Sequence, residues 1–248
     1  MIELDAATVL LQWATGGMLF CWFTTRRRIV GLGYGWLLRG TYFCFAAGAL
    51  AAGLAFGVNP VRELASAGVA IACLVGLGVS IARKGAGVSG QLADFDRRSE
   101  RVAAMTGIDR QTPAPDHDHD DPDRDDPDHA DSTTRSTGPE FNPALDLVPV
   151  GIGVVGLVAA ALDAGGNPIV ALLRTLVGAA FIGAISDGML LGHWYLVQPG
   201  LPRKLLNELV TALAWLWPLE VAVMLLPTGM ISVWNGTVDD GWGGMLGW

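Results

Sequence analysis

The chain has 248 residues, 51% of them hydrophobic and only 16% charged, with 33 glycines and a positive mean hydropathy. That balance argues against a soluble globular domain and a nucleic-acid binder, and it suits closely packed membrane helices. The net charge of -8 is local: Asp116 to Asp131 holds nine aspartates and one arginine, so the rest of the chain sums to zero.

The first apolar run, Ala6 to Thr24, is preceded by Glu3 and Asp5 and followed at once by Arg26, Arg27 and Arg28. No basic n-region marks a cleavable signal, and basic residues gather on the cytoplasmic side of spans. The run therefore reads as an uncleaved anchor that enters from outside and exits inside. The connection Ile29 to Gly35, IVGLGYG, lacks the preceding strand that a phosphate loop needs. It reads as a turn at the headgroups, anchored by Tyr34, Trp36 and Arg39.

A second span is predicted from Trp36 to Gly57 and a third from Leu64 to Ala82, where Arg83 and Lys84 stop it on the inside. Val88 to Ile108 mixes Leu92, Phe95, Val102 and Met105 with Arg97, Arg98, Glu100 and Arg101, the pattern of an amphipathic helix on the membrane surface or against a partner. The stretch that follows carries no apolar side chain larger than alanine and reads as a disordered cytoplasmic tether. His117, His119 and His129 are interleaved there with aspartates but lack fixed ligand spacing, so no metal site is predicted. Cys21, Cys44 and Cys73 all fall in apolar runs and read as buried thiols rather than a disulfide framework.

The fourth span is predicted from Ala144 to Asp163. The fifth opens at Asn167-Pro168, an N-cap oxygen followed by a proline in the first turn, and descends to Trp194 and Tyr195 at the inner interface. The sixth runs from Leu205 to Leu226 with Pro218 inside it. The tail carries Trp234, Trp242 and Trp248 among glycines, and its apolar ending leaves room for further spans beyond Trp248. Its last seven residues, WGGMLGW, resemble the external tryptophan-rich segment of heme-handling cytochrome c assembly proteins but lack the acidic residue that follows there, too little to assign a family.

The expected fold is thus all-α, a polytopic transmembrane helical bundle of six spans, arranged 3+3 about a disordered cytoplasmic linker. Its units are a first three-helix membrane unit at 1–84, the amphipathic segment and linker at 85–142, a second three-helix unit at 143–227 and an external tail at 228–248. Both termini lie outside in this multi-pass cell-membrane topology. The two triplets run in opposite orientations, as in inverted-repeat transporters, although no residue-level similarity joins them.

Candidate site residues sit in the last two spans. Arg174 and Glu220 are each about seven residues from the outer end of adjoining antiparallel helices, so they are expected to form an ion pair or gate. Asp187 is the candidate proton-accepting group, weighed against a static bond to Ser186, Thr211 or a backbone carbonyl. His193, Asn207 and Glu208 form the expected inner-end polar cluster. The other histidines all lie in the tether, so bis-histidine heme ligation is disfavoured and no cofactor is implied. Two functional classes stand open. One is a small-solute or proton-coupled transporter with its site between the fifth and sixth spans. The other is a non-catalytic subunit or assembly factor of a larger respiratory or heme-handling membrane complex. Partners are the lipid bilayer and either other membrane subunits or further copies of the chain. No catalytic constellation is visible, so an enzyme is not expected.

Overall fold

A computed structural model describes residues 4–90, 97, 100–101, 104–105, 139–198 and 200–225. Six long helices are present: α1 (Ala6–Thr25), α2 (Leu32–Phe56), α3 (Pro60–Ala82), α4 (Leu147–Asp163), α5 (Pro168–Val197) and α6 (Arg203–Leu225). Each is long and apolar enough to cross a membrane, α4 together with the short 3-10 turn Pro143–Asp146 that leads into it. The chain is an all-helical membrane bundle, with three spans before the linker and three after it. The tether from 106 to 138 and the tail from 226 onward lie outside the described residues, as does most of the expected amphipathic helix.

Helix starts follow from capping chemistry. The first amides of a helix have no intrahelical acceptor, and Asp5, Asn59 and Asn167 each supply a side-chain oxygen to them. Pro60 and Pro168 occupy the first turn, where the missing N–H costs nothing. This is why α3 begins at Pro60 rather than Leu64. The turn between α4 and α5 passes through Gly165 and Gly166, both at positive φ (78° and 69°), a conformation that glycine alone adopts cheaply.

The helix at the centre is α1, which packs on α2, α4 and α5, while α3 closes against α2 and α4. The sixth helix packs chiefly on α5 and exposes Trp215 and Trp217. This arrangement departs from an inverted repeat. A twofold pairing of α1 with α4, α2 with α5 and α3 with α6 would match the α1–α5 contact with one between α4 and α2, and the α3–α4 contact with one between α6 and α1. Neither counterpart is comparably formed among the described residues.

Glycine sets the tightest approach. A Cβ on Gly16 would overlap the carbonyl oxygen of Ala179, and one on Gly183 would overlap the backbone of Gly16 and Gly17, so α1 and α5 touch main chain to main chain. A Cβ on Gly17 would overlap the ring of Tyr42, which α2 sends across α1 at that point. Gly40, by contrast, has open space around it. Gly183→Ala is therefore expected to destabilise the bundle by about 1–3 kcal/mol through overpacking, whereas Gly40→Ala holds or gains up to about 1 kcal/mol. Thermal midpoints of the two variants in one detergent check this, and equal midpoints contradict it.

Candidate functional site

The described charges sort to two ends and a middle. At the end carrying Arg26, Arg27 and Arg28, the arginines pair with acids from elsewhere in the chain. Arg26 and Arg27 reach Glu208 at 3.4 and 2.7 Å, and Arg28 reaches Glu140 at 2.8 Å. Glu140 also accepts from the Ser89 amide and hydroxyl, and Gln198 accepts from the Gly31 amide and the Trp194 indole. The opposite end is tied by Arg62, which bonds Asp5, Glu63, Thr8 and the Gly57 carbonyl, and by Asn59, which donates to Asp163.

Between these ends lies a buried ion pair. Arg39 and Asp146 are 3% and 1% exposed, and Nε and Nη2 of the guanidinium donate to Oδ1 and Oδ2 of the carboxylate, each at 2.7 Å. Two parallel charge-assisted bonds satisfy both groups where water is scarce. The guanidinium stands 4.2 Å over the Phe141 ring, and the Cys21 thiol lies 3.9 Å from Asp146 Oδ2. Arg39 and Tyr34 are thus not headgroup anchors. Arg39 enters α2 two turns from its start and meets the carboxylate that the 3-10 turn presents, and Tyr34 is fully buried against Trp194. Trp194 and Tyr195 are likewise used within the fold, the Tyr195 hydroxyl donating to the Pro202 carbonyl.

Asp187 is also fully buried, but its surroundings differ. Tyr42 donates its hydroxyl to Oδ1, and Oδ2 has no partner. Neither Ser186 nor Thr211 bonds it: Ser186 donates to the Ile182 carbonyl and accepts from the Trp13 indole at 2.7 Å, while Thr211 donates to the Asn207 carbonyl. Asp187 therefore sits among α1, α2 and α5, rather than in the seam between the fifth and sixth helices.

The remaining candidates separate. Among the described residues no ion pair within 4.0 Å joins Arg174 to Glu220, although Glu220 lies in the field of Arg174. A Cβ on Gly178 would stand 3.7 Å from Glu220 Oε1 and 3.3 Å from the Gln12 amide nitrogen, which itself donates to the Thr175 carbonyl. Glycine at 178 leaves the space that the Glu220 carboxylate fills. Glu208 is drawn to Arg26 and Arg27 instead of His193 and Asn207, both of which are exposed. Among the described residues no three His, Cys, Asp or Glu side chains converge on a point that could hold a metal ion.

Sequence inspection missed Arg39, Asp146, Tyr34 and Tyr42. The available signal was depth. Arg39 lies two turns inside an apolar run that needs a partner, and Asp146 is the acid that follows the cap Asn142-Pro143 at the same membrane level.

Two outcomes follow. Arg39→Met leaves Asp146 uncompensated and is expected to cost about 3–5 kcal/mol, most of it recovered in the double variant Arg39→Met/Asp146→Leu; a double variant no more stable than the single one would refute the account. At the opposite end, burial opposes ionisation of Asp5, but hydrogen bonds from Thr8 and Arg62 outweigh it and hold the carboxyl below its ordinary value. That contribution is complete above an unfolded pKa of about 4 and is lost as pH falls through the lower folded value. The wild-type melting midpoint should thus decline below about pH 4 more steeply than that of Asp5→Asn.

Compared with known proteins, the chain matches no protein-family model, no curated sequence and no solved structure.

Proposed function

We propose that the protein is a proton-coupled carrier of a small solute, with Asp187 as the proton-accepting group and Tyr42 as its gatepost. One observation supports this most: of the two aspartates buried among the described residues, Asp146 is locked to a cation, whereas Asp187 is held by a neutral phenol and keeps one oxygen free. A carboxylate fixed by a bidentate arginine cannot change protonation without breaking the pair. A carboxyl held by a hydroxyl can, because the phenol donates to the carboxylate and accommodates the acid with little rearrangement. Ionisable groups at membrane depth that face the bundle interior are candidates for ion and proton pathways. With basic residues on the cytoplasmic side, the arginine-rich end faces the cytoplasm and both termini lie outside.

A second reading, a subunit of a larger assembly, draws on α6, whose Trp215 and Trp217 project from a helix that packs chiefly on α5. Purification separates the two readings: a stable hetero-assembly favours the subunit, a lone chain or homodimer the carrier.

The test of transport uses proteoliposomes holding the pH dye pyranine, challenged in turn with amino acids, sugars and small cations. A solute that drives proton movement in the wild type and fails to do so in Asp187→Asn, with the thermal midpoint kept, is the expected result. Equal proton movement in the variant removes Asp187 from the mechanism.

A further inference from the structure

The end of the bundle opposite the arginine triplet holds an open cavity of about 600 Å³, set between the starts of α1 and α3 and the last turn of α4. Small-molecule sites commonly span about 300–1,000 Å³. Asp5, Thr8, Asn59, Arg62 and Asp163 are its polar lining, and Leu4, Val58, Ala160 and Ala164 give it apolar wall.

The charge there is lopsided. Among the described lining residues Arg62 is the one cation, and with Asp5, Asp163 and the adjoining Glu63 the local sum is -2. Arg174 and Glu220, within the spans α5 and α6, add one charge of each sign. Nor is Arg62 available to an anion, because all five of its N–H groups are used. Nε donates to Glu63 Oε1, Nη1 to Asp5 and to the Thr8 hydroxyl, and Nη2 to the Gly57 carbonyl and again to Glu63 Oε1. Glu63 Oε2, in the same network, is buried without a partner, so the cluster lacks a donor rather than an acceptor. Helix α4 adds further acceptors: its closing carbonyls, from Ala160 to Asp163, accept no amide from the loop that follows, and a helix C-terminus carries partial negative charge.

We propose that this cavity binds a small organic ammonium ion, held by the carboxylates of Asp5 and Asp163 and by the carbonyls that end α4, with its hydrocarbon part against Val58 and Ala160. The proposal deepens the carrier reading by naming the class of solute and rests on that reading for transport, whereas binding is a separate property. A bare metal ion fits the space poorly. It needs several oxygens at about 2.0–2.6 Å, and among the described residues no three acidic, His or Cys side chains converge.

From the cavity floor a polar stripe runs inward. Thr8, Gln12 and Thr15 recur at helical spacing on one face of α1, all buried, and the Gln12 amide donates to the Thr175 carbonyl of α5. The Thr15 hydroxyl has no partner, and the next residue is Gly16, where α1 and α5 cross. Thr8 is about two helical turns from that crossing. A cation held at the mouth thus faces a side of α1 already supplied with oxygens.

Binding is read by equilibrium dialysis of the purified full chain, in detergent at neutral pH and low salt, against radiolabelled butylammonium, butyrate and butanol, with empty micelles as the blank. Saturable binding of butylammonium alone is expected. Asp163→Asn, at an exposed position that ends α4, should weaken it about tenfold at an unchanged thermal midpoint, and Asp163→Glu should restore it. Butyrate or butanol bound as tightly as butylammonium, or an Asp163→Asn variant that binds butylammonium like the wild type, overturns the proposal. So does a wild type with no saturable butylammonium binding. Transport is decided apart from this: a wild type that binds butylammonium yet carries none into proteoliposomes beyond the leak of empty vesicles, under a proton gradient, sinks the carrier reading and leaves the site standing.

Discussion

The bundle depends on the main-chain contact where Gly16 of α1 meets Gly183 and Ala179 of α5. Without a hydrophobic force between helices in lipid, association comes from close van der Waals approach and interhelical hydrogen bonds, and both are greatest where backbones touch. The contact also fixes the register of everything near it. Gly17 lets the Tyr42 ring cross α1, and one turn of α5 beyond Gly183 brings Asp187 to the phenol. Trp13, one turn before Gly17, reaches Ser186 beside that aspartate. The shape of two glycines thus decides which polar side chains can meet.

The two buried aspartates show how similar residues acquire opposite properties from their partners. Asp146 has a guanidinium fitted to both oxygens and the Phe141 ring over the cation, so its charge is neutralised locally and its conformation is fixed. Asp187 has one neutral donor and a free oxygen. Leaving a charge uncompensated in a dry interior costs several kcal/mol. A bundle that keeps such a group must either hold its proton or admit water when the proton leaves. The two carboxyls can therefore be told apart here by counting donors and noting their charge.

The spans, their order and the helix starts at Asn59-Pro60 and Asn167-Pro168 were legible because hydropathy and capping are local properties of the chain. Spatial pairing was not. Arg174 and Glu220 share a depth and adjoining helices, yet depth leaves the angular position free. The Gln12 amide on α1 shares the space by Gly178 into which the carboxylate turns. Glu208 was matched to His193 by depth alone, whereas Arg26 and Arg27 after α1 offer it a stronger field and take it. Nor was the centre of the fold legible. The fifth span holds the most ionisable groups inside its apolar run, but α1 is the helix that the others surround, and it carries Thr8, Gln12, Thr15, Cys21 and Thr24 into the core without a single charge. Uncharged polar residues raise little alarm in a hydropathy scan, and they are the ones a central helix can best tolerate.

The same distribution bears on how such a bundle would move. The ends are tied by charged networks, Arg62 with Asp5 and Glu63 at one and the arginine triplet with Glu140 and Glu208 at the other. Arg62 and Glu63 are buried, but the pairs of the arginine triplet are partly solvated, contribute little stability and exchange partners readily, so the arginine-rich end can rearrange at small cost. The middle, with backbone against backbone, cannot. If the bundle works as the carrier proposed above, it would rock about the Gly16–Gly183 crossing rather than slide along it, and the group placed next to that pivot is Asp187. A rocking motion about the pivot would shift the Tyr42 ring relative to the carboxylate while leaving Arg39 and Asp146 bound, which is the motion a proton-accepting site needs if it is to face the two sides in turn.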